Sequence, residues 1–327
     1  MSELIDKYGR ELNYLRLSVT DRCNLRCYYC MPETGIHFER QENLLTWQEM
    51  ETLCRLFCDM GIQKIRITGG EPFVRPGLMP FLEQLRIQKG LEEITITTNG
   101  TLLESHIPAL QKAGIRKINL SLDSLNRQRF FEITRRDAFD QVYAMLFRLL
   151  DAGFELKLNC VVSAGKNIED IIPFVELGRN NPIAVRFLEE MPFNGGDHDY
   201  QSTWNYQDIY NHIQTHYSQI EKIQSEPSST SINYQVPGFQ GSFGIIPSFS
   251  RTFCGTCNRI RLSATGELRT CLYGPPVLQL RNLLRSGVSI DQIRSAIISA
   301  IGKREKDGFA AEQANAEIHH SMSILGG

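Results

Sequence analysis

The sequence predicts an α/β protein: an open, incomplete (βα)6 barrel of the TIM type at residues 1–190, followed by a smaller C-terminal α+β region at 191–327. Three observations predict it. Short β-rich runs alternate with helix-like stretches from residue 12 to about 190. Within the runs, polar and apolar side chains alternate, and past residue 190 the pattern breaks. A chain of 327 residues is long enough for one large core and an appendage.

Taken in order, the β-rich runs are YLRLSV, KIRIT, EITITT, KINLSL, FELKLNCVV and AVRFLEE. Between them lie segments with apolar residues at three- and four-residue spacing, such as 47–60 and 138–151. Six such units in series imply parallel strands joined by helical crossovers, too few to close an eight-stranded barrel. Parallel strands covered on both sides are normally apolar on both faces. Here Leu15, Leu17, Ile65, Ile67, Ile94, Ile96, Ile118, Leu120, Val185 and Phe187 define one face. The other carries Arg16, Ser18, Lys64, Arg66, Thr68, Thr95, Thr97, Asn119, Ser121, Asp123, Lys157, Asn159 and Arg186. A half-solvated sheet would read the same way, but the crossovers should supply apolar cover outside. The polar face therefore lines a wet interior rich in Arg and Lys, suited to an anion and above all to phosphate.

Past residue 190, segments 193–206 and 224–232 read as loops. Strands are expected near SINYQV, GSFGII and NRIRLSATGELRTCL, with Thr265-Gly266 as a hairpin turn. Helices are expected at about 276–286 and 289–302, and the chain ends in Gly326-Gly327.

Formal net charge is −2, which gives no support for nucleic-acid or membrane binding. No apolar run approaches the length that spans a bilayer, and MSELIDKYGRELNYLRLSV lacks the apolar core of a signal peptide. A cytoplasmic protein is the expectation. In a reducing compartment nine cysteines point to metal rather than disulfides.

Six cysteines form two tight sets: Cys23, Cys27 and Cys30, then Cys254, Cys257 and Cys271. Structural zinc normally takes four closed ligands, and a cubane iron–sulfur cluster has four corners. Three thiolates leave one iron open for a substrate or cosubstrate. A zinc site completed by His37 competes for the first set, and a zinc knuckle for the second. Strand alternation turns Cys160 away from the polar face, and Cys54 and Cys58, one helical turn apart, read as packing. Gly69 and Gly70, after the second strand, would let the backbone approach a ligand closely. Arg259 and Arg261 fall on one side of a strand beside the second set, with Arg269 on the returning strand.

The CNLRCYYC spacing, with TGGEP downstream, resembles the radical S-adenosylmethionine superfamily. Together with TTNGTLL, NLSLDSL, RFLEEM, FCGTCNRIRLSATGELRTCL and the terminal Gly-Gly, the chain is similar nearly end to end to the GTP 3′,8-cyclase family of molybdenum cofactor biosynthesis. The resemblance implies two [4Fe–4S] clusters, one on each cysteine set, at the two ends of a cavity whose mouth the C-terminal region closes. It implies that S-adenosylmethionine is bound near Tyr29, Gly70, Glu71, Ser121 and Met191. GTP would meet Arg16, Arg66, Thr97, Lys157, Arg259, Ile260 and Arg261. Arg259, Arg261, Arg269, Gly326 and Gly327 would assist catalysis, the last two by entering the cavity. Arg16, Arg66, Thr97 and Lys157 also lie on the polar face found from alternation alone.

In the implied reaction a 5′-deoxyadenosyl radical takes the ribose 3′ hydrogen of GTP, and C3′ then attacks C8 of guanine. One electron and one proton complete (8S)-3′,8-cyclo-7,8-dihydroguanosine 5′-triphosphate. A homodimer, an external electron donor and a downstream cyclic pyranopterin monophosphate synthase are further implications. The competing readings are a radical S-adenosylmethionine peptide or tRNA modifier and a zinc-stabilised binding protein.

Overall fold

The computed structural model of the protein describes residues 3–195, 204–314 and 321–325. Its organising element is one sheet. The strands β1 (Tyr14–Ser18), β2 (Lys64–Thr68), β3 (Glu93–Thr98), β4 (Lys117–Ser121), β5 (Glu155–Val162) and β6 (Ala184–Glu189) lie side by side and parallel. Helices α1 (Trp47–Asp59), α2 (Leu78–Arg86), α3 (Ile107–Lys112), α4 (Arg127–Thr134), α5 (Phe139–Asp151) and α6 (Ile171–Leu177) carry the chain between them. The expected helices at 47–60 and 138–151 are α1 and α5 to within a residue.

Beyond α7 (Tyr206–Gln214) come β7 (Glu221–Ile223), β8 (Ile232–Gln235), β9 (Ser242–Ile246), β10 (Arg259–Leu262), β11 (Glu267–Arg269) and β12 (Leu278–Gln279). These strands do not build a separate sheet. β9 pairs parallel with β6, and β10 pairs parallel with β1. The order β12-β11-β10-β1-β2-β3-β4-β5-β6-β9-β8-β7 therefore contains eight consecutive parallel strands where sequence predicts six. Each was recognisable as a strand, but its partner lies far away in sequence. Tyr14 pairs with Arg259 and Val185 with Phe243. The expected hairpin turn joins β10 to β11, with Gly266 at φ +88°.

Alternation dictates the layers. Leu15, Leu17, Ile65, Ile67, Ile96, Ile118, Leu120, Leu158, Val185 and Phe187 are buried under the helices, with Met50, Leu53, Cys54 and Phe57 of α1 and Val142, Met145, Leu146 and Leu149 of α5 against the same core. Cys54, Cys58 and Cys160 are buried, as packing predicts. α1 begins with a capping box: Glu49 N–H donates to Thr46 Oγ1 at 3.2 Å, and Thr46 N–H donates to Glu49 Oε2 at 2.7 Å. From β10 onward, Ile260, Leu262, Leu268 and Leu280 join this core, followed by Ile293, Ile297 and Ile301 of α9 (Ile290–Gly302). α8 (Leu280–Arg285) and α9 take the places of the two helices expected there. Two short helices, α10 (Gly308–Gln313) and α11 (Met322–Leu325), complete the described chain. Among the described residues no helix is long and apolar enough to cross a membrane.

Glu189, at the end of β6, ties the two parts together. Its carboxylate accepts from the N–H groups of Tyr206 (2.7 Å), Phe249 (2.8 Å) and Ser250 (2.7 Å) and from Ser250 Oγ (2.7 Å). These bonds fix where the chain leaves β6 and β9. Phe57→Ala removes a fully buried side chain from beneath the sheet. It is expected to cost about 3–5 kcal/mol, measured by urea unfolding under anaerobic conditions.

Candidate functional site

The polar face of the sheet lines a cavity of about 590 Å³. Register stacks its side chains in rows across the strands. Arg261, Arg16, Arg66 and Thr95 follow one another, Thr97 neighbours Asn119, Asn119 neighbours Lys157, and Asn159 faces Arg186. Both cysteine sets open into this cavity. Cys23, Cys27 and Cys30 follow the C-terminal end of β1. Cys257 precedes parallel β10 and Cys271 follows antiparallel β11, which puts both at the opposite, N-terminal end of β1. A five-residue strand separates the two ends by about 16 Å, and the cationic rows lie between.

The electrostatics of this wall are unusual. Burial, reinforced by Arg261 and Arg66, pushes the Arg16 guanidinium well below its ordinary value. Burial, then Arg66, brings Arg186 down to about 10. Burial, then Arg186, Lys64 and Arg66, brings Lys157 down to about 8. Among the described residues, Arg16 Nε, Thr97 Oγ1, Asn119 Nδ2, Asn159 Oδ1 and Arg186 Nε are buried with no hydrogen-bond partner. Crowded cations beside orphaned donors (Arg16 Nε, Asn119 Nδ2, Arg186 Nε) and an orphaned acceptor, Asn159 Oδ1, are the signature of a site made for an anionic, hydrogen-bonding ligand. Tyr14 partly shields them: its ring takes Lys64 at 5.1 Å, Arg66 at 5.6 Å and Arg259 at 5.6 Å from its centroid. At the floor, Glu93 binds both Lys64 and Lys117.

Each end of the cavity presents three thiols, Cys23, Cys27 and Cys30 at one and Cys254, Cys257 and Cys271 at the other. Among the described residues no three His, Cys, Asp or Glu side chains converge tightly enough to hold one metal ion. Thiolates are the usual ligands of an iron–sulfur cluster, each iron taking one. His37 is exposed and does not line the cavity, so the zinc site it would complete is not assembled. Burial, then Glu71, pushes the Cys23 thiol up to about 12, and burial, then Asp123, pushes Cys27 well up. Cys257 differs. Burial raises it, but Arg304 and Arg259 outweigh burial and bring it to about 7. Arg259 donates to Cys257 Sγ at 3.7 Å and to the Ser228 carbonyl.

Around the first set, Tyr29, Gly70, Ser121 and Met191 all line the cavity. Tyr29 donates to Asp123 at 2.7 Å. Glu71 does not line it: its carboxylate accepts from Phe73 N–H (3.2 Å), Thr98 Oγ1 (2.8 Å) and Asn99 N–H (2.7 Å), so it joins the ends of β2 and β3. The glycines also serve an unexpected end. A Cβ on Gly70 would lie 2.2 Å from the Arg22 carbonyl, and one on Gly69 would lie 2.6 Å from that of Thr20. They let the end of β2 nest against the loop that launches Cys23, with Gly70 N–H donating to Thr20 O at 2.8 Å.

The expected GTP contacts Arg16, Arg66, Thr97, Lys157, Arg259 and Arg261 line the same cavity. Ile260, between the two arginines, turns its side chain into the core, leaving only its backbone to serve. Arg269 is buried outside the cavity wall and donates to the Gly274 carbonyl at 2.8 Å, shaping the segment after Cys271. Gly326, Gly327 and loop residues 196–203 lie outside the described residues. Lys64, Arg186, Asn119 and Asn159 belong to the cavity although sequence reading left them out of the site. Their places on the polar face were the signal that could have found them.

Comparisons with known proteins show the family. The family described as Radical SAM superfamily matches residues 17–178, and that described as Molybdenum Cofactor Synthesis C matches 183–310. The chain is 42% identical to molybdenum cofactor biosynthesis protein 1 of Bos taurus, over 93% of this chain and 48% of that protein. It is 39% identical to GTP 3′,8-cyclase of Peptoclostridium acidaminophilum, over 94% of this chain and 93% of that one. Streptococcus suis SuiB bound to S-adenosylmethionine shares the fold, with a TM-score of 0.60 and 16% identity over 88% of this chain and 68% of that one. The chain spans about half the length of the mammalian relatives it matches.

Gly70→Ala is expected to destabilise the protein by more than about 1 kcal/mol, because the added Cβ must displace the Arg22 carbonyl. The displaced loop carries Cys23, so iron retained per chain should fall with it. Iron and sulfide assay beside thermal unfolding checks both.

Proposed function

The chain belongs to the GTP 3′,8-cyclase family within the radical S-adenosylmethionine superfamily, and from that premise we propose that it cyclises GTP to (8S)-3′,8-cyclo-7,8-dihydroguanosine 5′-triphosphate, an early step of molybdenum cofactor biosynthesis. The observation that carries the proposal is the row of cations strung between two cysteine trios at opposite ends of the same strands. Residues 1–190 would form the incomplete barrel, and 191–327 would close its mouth and bring the second cluster.

In this reading Cys23, Cys27 and Cys30 hold one [4Fe–4S] cluster and Cys254, Cys257 and Cys271 another. With S-adenosylmethionine on the first, one-electron cleavage of the sulfonium supplies a 5′-deoxyadenosyl radical. Tyr29, Gly70, Ser121 and Met191 position the cosubstrate. Arg16, Arg66, Lys157 and Arg186 hold the triphosphate, and Thr97, Asn119 and Asn159 find partners on it or on the ribose. Arg259 and Arg261, next to the second trio, face the guanine end. Held at both ends, the nucleotide presents C3′ to the first trio's side and keeps C8 within bonding reach of C3′. The net change is loss of hydrogen from C3′, a new C3′–C8 bond, and addition of one electron and one proton. By the same family reasoning we infer a cytoplasmic homodimer served by an external electron donor, whose product passes to cyclic pyranopterin monophosphate synthase.

The decisive experiment reconstitutes the protein anaerobically with iron and sulfide. S-adenosylmethionine and dithionite are then added with GTP, ATP or no nucleotide. 5′-Deoxyadenosine formation coupled to loss of GTP but not ATP is the expected result, and cleavage with GTP left intact refutes the substrate assignment. Replacing Arg259 and Arg261 by alanine should cut GTP conversion about 100-fold or more even at saturating GTP, while S-adenosylmethionine cleavage continues, measured as the ratio of product to 5′-deoxyadenosine.

Lys157 gives a pH dependence. With its pKa at about 8 in the free protein, its ammonium is lost as pH rises through that value. A bound triphosphate favours the charged form, so GTP affinity should weaken between about pH 7 and pH 9.5. Isothermal titration across this range should show the weakening, and Lys157→Met should bind more weakly with a flatter profile.

A further inference from the structure

The second cysteine trio is braced by a part of the chain that neither its motif nor its neighbours in sequence would reveal. Leu4 and Leu12 are fully buried and hold a short turn closed, with Leu12 N–H donating to Leu4 O at 2.8 Å and Asp6 N–H to Arg10 O at 3.1 Å. Gly9, at φ +76°, supplies the left-handed residue that the turn needs. The turn aims the buried Asp6 carboxylate at two buried guanidiniums, Arg10 Nε at 2.6 Å and Arg304 Nη1 at 3.5 Å. Neither arginine stops there. Arg10 donates to the carbonyls of Cys254 (3.0 Å), Glu305 (2.7 Å) and Lys306 (2.6 Å), and Arg304 donates to the carbonyl of Cys257 (2.8 Å).

One carboxylate thus neutralises two arginines that between them grip the backbone of two of the three cysteines. A buried charged network of this kind is costly unless every member is partnered, which makes its geometry unforgiving. The other flank is gripped separately. Arg251 donates to Gly308 O at 3.0 Å, pairs with Glu312 at 2.7 Å, and lies 3.5 Å from the Tyr273 ring centroid.

We propose that Asp6, Arg10 and Arg304 are positioning residues for the second cluster: the triad holds Cys254 and Cys257 in the geometry that captures it, and the Arg304 charge raises its reduction potential. This rests on the reading that Cys254, Cys257 and Cys271 carry an iron–sulfur cluster. A cation beside a cluster favours the reduced, more negative state, so its removal lowers the potential.

The test uses two forms of the full chain, one with Cys23, Cys27 and Cys30 changed to serine, the other with Cys254, Cys257 and Cys271 changed to serine. Each reports a single trio. Asp6→Asn and Arg10→Ala are expected to lower iron affinity at the second trio by about 10-fold or more in chelator competition. At the first trio they should leave iron and sulfide unchanged, which also shows that the variants fold. Arg304→Ala should lower the midpoint potential of the second cluster in an EPR-monitored titration, and Arg304→Lys should restore most of the shift. Undiminished iron affinity with an unchanged potential overturns the proposal. Equal loss at both trios overturns it too, since the triad would then serve the fold rather than the cluster. If the unsubstituted second-trio form binds no iron and sulfide, the reading of that trio fails and the proposal falls with it.

Discussion

Positive charge crowded onto one wall is the constraint around which the molecule is arranged. Arg16, Arg66, Arg186, Arg261 and Lys157 share one wall of a cavity, and Arg66 lowers the proton affinity of Arg16, Arg186 and Lys157. Such crowding opposes folding of the empty protein. Several features offset it: the Tyr14 ring amid three cations, Glu93 between two lysines, and a core of apolar residues on the far side of the same strands. Under the proposed function, a triphosphate in the cavity would relieve what remains, so its binding would draw on relieved repulsion as well as on new contacts.

The sheet is suited to hold that wall. In a parallel ladder, side chains at matching register positions fall in rows, so a charge every second residue becomes a surface of charge across several strands. The two outermost parallel strands, β9 and β10, are contributed by the second half of the chain. β10 brings Arg259 and Arg261 into the same rows as Tyr14 and Arg16 and puts Cys257 at the strand end remote from Cys23. The separation of the two trios follows from strand direction alone.

Much of this was legible in sequence because it is local. Alternation within KIRIT or KINLSL shows on which face Arg66 and Asn119 lie, and cysteine spacing shows which thiols share a loop. The same reasoning placed Cys160 in the core, where it is found. What escaped depends on distant partners. Glu71 looked like part of a ligand loop, yet three donors from β3 and its own turn claim its carboxylate. Arg269 lies opposite Arg261 in the ladder but is taken up by the Gly274 carbonyl. Gly69 and Gly70 were marked as positions of close approach to a ligand; the backbone at residues 20–22 also packs against them, and both line the cavity. No residue in the Asp6 turn hints that Cys254 is its neighbour.

The pairing of β10 with β1 also governs the order in which the molecule can be made. Asn13 and Asn258, which flank that pairing, are bonded across 245 positions of chain. Contacts of such separation form late, since the loop must close before they stabilise anything. The first six strands have all their mutual partners within residues 14–189, whereas the end of the cavity that holds Cys254, Cys257 and Cys271 needs the last quarter of the chain. Until β10 is made, the cationic wall is open along the edge of β1 that it covers, and the second thiol set has no strand to sit on.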